Sequence, residues 1–156
     1  MATKKPLVLG TDGRPQQLQA GDTIGTFETG QVSQTANSTL IAGQVVYSQA
    51  ADTVDQAQAN AAGTSIVLGL ATTAITSATA GIIQTSGVLA LTTAQWDAVF
   101  GTTGGLTFGT TYYLSADTAG LGTSTAPSTV GQYVVILGEA ISTTELNIRI
   151  TERILL

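Results

Sequence analysis

Leu40-Ile41-Ala42-Gly43-Gln44-Val45-Val46-Tyr47 and Leu106-Thr107-Phe108-Gly109-Thr110-Thr111-Tyr112-Tyr113 are the two stretches on which the fold turns. Each sets a leucine, then a glycine three residues on, then a short run that ends in tyrosine. The correspondence continues downstream. Asp52-Thr53 meets Asp117-Thr118 after a one-residue slip, and Ile66-Val67-Leu68-Gly69-Leu70-Ala71 meets Val135-Ile136-Leu137-Gly138-Glu139-Ala140. Two halves, residues 40–83 and 106–150, thus share the order strand with Gly and Tyr, variable loop, strand ending in Leu-Gly-x-Ala. Such self-similarity marks a repeated supersecondary unit, with the segment carrying Trp96 as its connection. Chance matching in a Gly-, Ala- and Thr-rich composition is the alternative. A duplicated small β-unit hides its strand edges by closing into a barrel or packing as a sandwich.

Around these halves, short β-type runs recur between turn clusters: Gln44–Tyr47, Ile66–Leu70, Ile82–Ile83, Thr111–Leu114, Gln132–Leu137 and Glu145–Ile150. The last alternates cleanly, with Leu146, Ile148 and Ile150 on one face and Glu145, Asn147 and Arg149 on the other, so one face is core and one is wet. Tyr133 to Leu137 is apolar throughout, which predicts a strand covered on both faces by another sheet or a partner subunit. Two short helices are expected. Thr92 and Gln95 form a capping box that opens Thr93–Phe100, with Gly101 as the stop; the Ala-rich stretch Thr53–Ala62, ended by Gly63, is the weaker candidate.

Residues 1–38 read as an extended N-terminal arm, because Pro6, Pro15 and five glycines interrupt any apolar period. Within it, Lys5-Pro6-Leu7-Val8-Leu9 is an extended apolar segment of the kind that adds to the sheet or groove of a partner, or forms a strand of its own domain. The expected organisation is therefore an arm at 1–38 and a β-domain at 39–156. The fold class is all-β: a small barrel or sandwich built from two duplicated β-units.

Composition removes most chemistry. The 156 residues contain no His and no Cys, which excludes imidazole and thiol catalysis, zinc fingers and disulfide frameworks. Net charge is −5 and only 10% of residues are charged, against roughly 25% in an average soluble domain. The basic residues Lys4, Lys5, Arg14, Arg149 and Arg153 lie near the two ends, so no basic face forms and nucleic acid is not an expected partner. Gln56 to Trp96 carries no charge at all, yet Gln, Asn, Thr and Gly break it up too often for a membrane span. Leu7-Val8-Leu9 is too short for a signal-peptide core, which leaves the sequon at Asn37-Ser38-Thr39 without a role. A surface solvated by hydroxyls has few charges to desolvate when it packs on neighbours.

No pair of carboxylates stands at a spacing that nominates a glycosidase site, and neither a calcium loop nor a phosphate loop is present. Asp52 and Asp55 read as helix-start residues, and Gly101-Thr102-Thr103-Gly104-Gly105 as a turn. No catalytic, cofactor or metal site is expected. Tyr112-Tyr113 puts one ring on each face of a strand, one for the core and one for a ligand or subunit.

The segment from Gly104-Gly105-Leu106 through Tyr112-Tyr113-Leu114-Ser115, followed by Gly120-Leu121, Ala126-Pro127 and Val135-Ile136-Leu137-Gly138-Glu139-Ala140, resembles the C-terminal β-domain of tailed-bacteriophage virion proteins. These are the head decoration (cement) proteins and the head or tail fibres. The opening, Pro6-Leu7-Val8-Leu9-Gly10-Thr11-Asp12-Gly13-Arg14-Pro15 with Gly21-Asp22, is similar to the start of the same class. The resemblance implies a homotrimer on the outer surface of the capsid that binds the major capsid protein of the assembled shell and stabilises it without catalysis. A fibre module that attaches to a host receptor or carbohydrate is the alternative. A chain stopping at residue 156 leaves no room for a shaft or a receptor-binding tip, which favours decoration. Pro6, Leu7, Val8, Leu9, Tyr112 and Tyr133 are the candidate contacts to capsid or subunit.

Overall fold

The computed structural model describes residues 30–156, preceded by the backbone of two short strands. These two, β1 (Leu7–Leu9) and β2 (Pro15–Gln17), pair antiparallel with each other and with no other described strand. Five strands then follow: β3 (Gln31–Ala36), β4 (Val45–Ala50), β5 (Thr53–Gln56), β6 (Val67–Ala71) and β7 (Ala80–Gln84). They close into a barrel through a parallel contact between β3 and β5. The second half runs β8 (Gly87–Ala90), α1 (Thr93–Phe100), β9 (Thr111–Leu114), β10 (Gly122–Thr123), β11 (Tyr133–Val134), β12 (Ile136–Ala140), β13 (Glu145–Ile148) and β14 (Ile154–Leu155). Here five strands form an open sheet in the order β10-β9-β12-β13-β8, while β11 and β14 make a separate ribbon.

The duplication is real at the level of single residues. Strands β5, β4, β6, β7 and β3 of the barrel stand in the same order as β10, β9, β12, β13 and β8 of the open sheet. Val46 faces Gly69 and Tyr47 faces Val67; at the matching positions Tyr112 faces Gly138 and Tyr113 faces Ile136, with a bulge at the same step in both. The corner ahead of each first strand is also repeated. Gly43 N–H donates to Ala71 O at 2.8 Å and Gly109 N–H to Ala140 O at 2.8 Å, while Ala71 N–H returns to Gln44 O at 2.9 Å and Ala140 N–H to Thr110 O at 3.0 Å. Both corners need a left-handed residue, and Gly43 (φ 85°) and Gly109 (φ 73°) supply it. Gly69 and Gly138 are matched for a different reason. A Cβ on either would collide with the backbone carbonyl of the neighbouring strand, Gln84 O in one unit and Asn147 O in the other.

The interiors correspond as well. Leu40, Val46, Ala71 and Ile83 fill the barrel; Leu106, Tyr112, Ala140 and Leu146 fill the second unit. The two halves diverge at one seam. Where Val54 of β5 is buried in the barrel, its counterpart on β10 is Gly122, and the ring of Phe100 lies directly on that glycine. Helix α1 thus runs from β8, which it follows in sequence, to β10, and takes the place that the β3–β5 contact holds in the barrel. Its start is the expected capping box of Thr92 and Gln95, and Gly101 (φ 63°) ends it. Trp96 Nε1–H donates to Thr144 O at 2.9 Å, and Phe100 stacks between Trp96 (5.3 Å) and Tyr112 (4.8 Å).

The structure corrects four expectations. The β-domain does not begin at residue 39, since Gln31–Ala36 is a barrel strand that pairs with both β5 and β7; its polar outward residues hid it in the sequence. Thr53–Ala62 is not a helix: Thr53–Gln56 is β5, and Ala57 and Ala59 are fully buried where the backbone crosses between the units, bonded to Val45 and Ser115. Asp117-Thr118 is not the partner of Asp52-Thr53. Strand pairing matches Asp52 (φ 54°) with Gly120 (φ 75°), two left-handed turn residues. The Tyr133–Leu137 run is broken at Val135, where the chain changes pairing partner; Val135 and Leu137 are buried in the chain's own core, and Tyr133, Val134 and Ile136 are half-buried.

Overpacking of this kind typically costs about 1–3 kcal/mol. Gly69→Ala and Gly138→Ala should therefore each lower the unfolding free energy in urea by about 2 kcal/mol. Gly63→Ala, where a Cβ meets nothing within 4 Å, should leave it within about 0.5 kcal/mol.

Candidate interaction surface

Two of the described carboxylates, Asp55 and Asp97, act in the framework. In Asp55 burial alone would raise the carboxyl, but hydrogen bonds from Ser38 Oγ (2.6 Å), Asn37 Nδ2 (2.7 Å) and Gln56 N–H (2.8 Å) outweigh it and hold it below the usual range. Asn37 and Ser38 directly follow β3, so Asp55 on β5 clamps the parallel seam that closes the barrel. Asp97, in α1, is lowered first by Thr102 Oγ1 (2.7 Å) and then by the backbone N–H groups of Gly105 (2.8 Å) and Gly104 (3.0 Å). It fixes the Gly101–Gly105 turn. Among the described residues no group of three or more His, Cys, Asp or Glu gathers in one place, and no helix is long and apolar enough to cross a membrane.

Three of the open grooves on the described surface stand out. The first, 280 Å³, is lined by hydroxyls of Ser115, Thr123, Thr125 and Ser128 with a single carboxylate, Asp117. The second, 440 Å³, lies between Ser65–Val67 and Ile150–Arg153. The third, 240 Å³, holds Glu139 and Arg149 over Ile136 and Gly138. None brings two acids together.

Of the residues singled out from sequence, Pro6 lies outside the described residues, and Leu7, Val8 and Leu9 form β1. Tyr112 is not a contact residue. Its ring is 1% exposed in the second core and its hydroxyl accepts from Thr107 N–H at 3.0 Å, so it cannot meet a partner. Tyr113, on the opposite face, is half-buried. Tyr133 is half-buried beneath Arg153, whose guanidinium carbon stands 5.3 Å from the ring centre.

Two apolar regions were not read from the sequence. One is the repeated corner. In the barrel it is covered: Ala42 is buried, and Gly43 packs on Leu91, Trp96 and Val99. In the second unit the position matching Ala42 is Phe108, which is 76% exposed. Phe108 and Ile141 flank the Gly109–Ala140 hydrogen bond on that corner, and Ile141 is also exposed. The other region is the β11–β14 ribbon, where Val130, Ile154, Leu155 and Leu156 are exposed and Ile66 lies across the adjoining groove. The repeat itself was the available signal for Phe108, since it aligns that phenylalanine with an alanine, Ala42.

No protein-family model, no curated protein and no solved structure matches the chain.

Because both carboxyls are depressed in the folded state, their stabilisation is complete above the unfolded value, near pH 4, and disappears as pH falls through the folded value. Stability should be flat from pH 7 to about 5 and fall below about 4. Asp55→Asn should flatten that acid limb while lowering the plateau. Thermal melts from pH 2 to 7 check both.

Proposed function

We propose that this chain is a structural protein of a tailed-bacteriophage head, a decoration protein that binds the assembled shell and stabilises it by bridging capsid subunits. The observation that carries this reading is the Phe108 corner. A scaffold made twice, with one corner buried inside the chain and its duplicate left uncovered with a phenylalanine at its tip, is built to join something else. Exposed aromatics of this kind act as interface anchors. The charge-poor surface supports the same reading, because its burial needs little desolvation. The resemblance of Gly104–Ala140 to virion β-domains supplies the partner, the major capsid protein, and the trimeric state.

Such a protein acts without catalysis. Binding only the assembled shell favours that state by RT ln(1 + [L]/Kd), about 2.7 kcal/mol per site at a hundredfold excess over Kd. A fibre module that binds a glycan would want an aromatic platform beside amide or carboxylate partners. The hydroxyl-lined groove offers Asp117 and Gln132 but no aromatic, which favours decoration.

Three outcomes are expected. Sedimentation at micromolar concentration should give a trimer; a 15.8 kDa species would contradict the trimer. Phe108→Asp should weaken binding to stripped capsids at least tenfold with an unchanged melting curve. Wild-type binding should survive 1 M NaCl, where the Debye length is about 3 Å, and weaken in urea; release by salt alone would show an electrostatic interface.

A further inference from the structure

The β11–β14 ribbon is the least finished part of the described fold. Among the described strands β14 pairs with β11 alone, so its outer edge has no described strand beside it. Ile154 and Leu155 are 63% and 61% exposed, and Val130 at the ribbon's end is 88% exposed. An exposed apolar edge is a template for strand addition, and proteins ordinarily cover it. The same chain carries a strand in the converse position. β1 is the triplet Leu7-Val8-Leu9, and among the described strands it pairs with β2 alone.

We infer that β1 of the same chain docks on the outer edge of β14, giving a four-stranded sheet β2-β1-β14-β11. Reach permits it. With β2 folded back on β1 so that Gln17 lies beside Leu7, residues 18–29 lead to Gly30, and twelve residues span up to about 40 Å, against a radius of gyration of about 14 Å for a fold of this size. The entry point is also well placed: Gly30 O accepts from Thr85, and Gly87 pairs with Ile148 on the strand that leads to β14. Charge favours a parallel register. With Leu7 beside Ile154 and Leu9 beside Leu156, Lys5 stands opposite Glu152, and Pro6, which has no N–H to donate, falls opposite Arg153. Between the same strand of this copy and of a neighbour, the tethered one wins by effective concentration, of about millimolar order for a short tether that spans the gap. The inference is independent of the capsid reading, and it gives Leu7–Leu9 to the chain's own sheet.

A chain without cysteine makes the test clean. Val8→Cys combined with Leu155→Cys, central in either strand direction, is oxidised at low micromolar concentration and resolved by non-reducing gel and peptide mass spectrometry. A disulfide within one chain is expected, forming at least tenfold faster than in a Val8→Cys/Phe108→Cys control. Hydrogen exchange gives a second readout that needs no substitution. Deleting residues 1–21 should raise the exchange rate of the Ile154 to Leu156 amides at least tenfold, with the barrel strands unchanged. A disulfide between chains, a rate equal to the control, or unchanged exchange at β14 would overturn the inference.

Discussion

The ring of Phe100 on Gly122 is the contact that lets one unit exist in two forms. A five-stranded sheet left open has two bare edges, β8 and β10, and would expose its interior between them. In the barrel the parallel β3–β5 contact removes that problem, clamped by Asp55. In the second unit the edges stay apart and α1 lies between them, with Trp96 tied to Thr144 and Phe100 wedged against Tyr112. Burying a side chain of that size contributes about 1.5–3 kcal/mol, with a further 0.5–1.5 kcal/mol for well-placed aromatic pairs. Gly122 is the condition for it, because any side chain there would occupy the space of the ring.

Opening the second unit has consequences for the surface. Helix α1 gives the barrel's Ala42–Gly43 corner something to pack on, which joins the two units through one continuous core containing Val45, Leu70, Trp96 and Tyr112. There is one such helix among the described residues, and it is already covered. Among the described residues the duplicate corner at Thr107–Gly109 meets no such helix, and Phe108 is exposed. The position aligned with Leu70, inside the joint core, is Glu139, an exposed residue. At these two matched positions the second unit turns Glu139 and Phe108 toward water. That division suits a protein held to a larger assembly by a small anchor within a hydroxyl-rich, weakly charged surface.

Much of this was legible from residues alone. The repeated Leu-x-x-Gly corner and the Leu-Gly-x-Ala strand ends pointed to the duplication, because both answer to backbone geometry: a left-handed turn and a strand crossing too close for a Cβ. The capping box at Thr92 and the alternation at Leu146 and Ile148 were read for equally local reasons. What escaped was set by tertiary pairing. β3, with two Gln, one Ser and one Thr among its six residues, reads as arm until its partners are known. Ala57 and Ala59 look helical but are small because another backbone passes them. Tyr112 was offered as a contact because a Tyr-Tyr pair shows only that the faces differ, and the surrounding core decides which is buried.

The plug at the seam is the central claim, and hydrogen exchange of Phe100→Ala measures it most directly. The account expects amides of β8, β9 and β10 to lose protection through local opening, while β3 to β7 keep theirs. Equal loss across both units, or full protection retained at β8 and β10, would show that the second unit does not depend on the helix and that its likeness to the barrel has another origin.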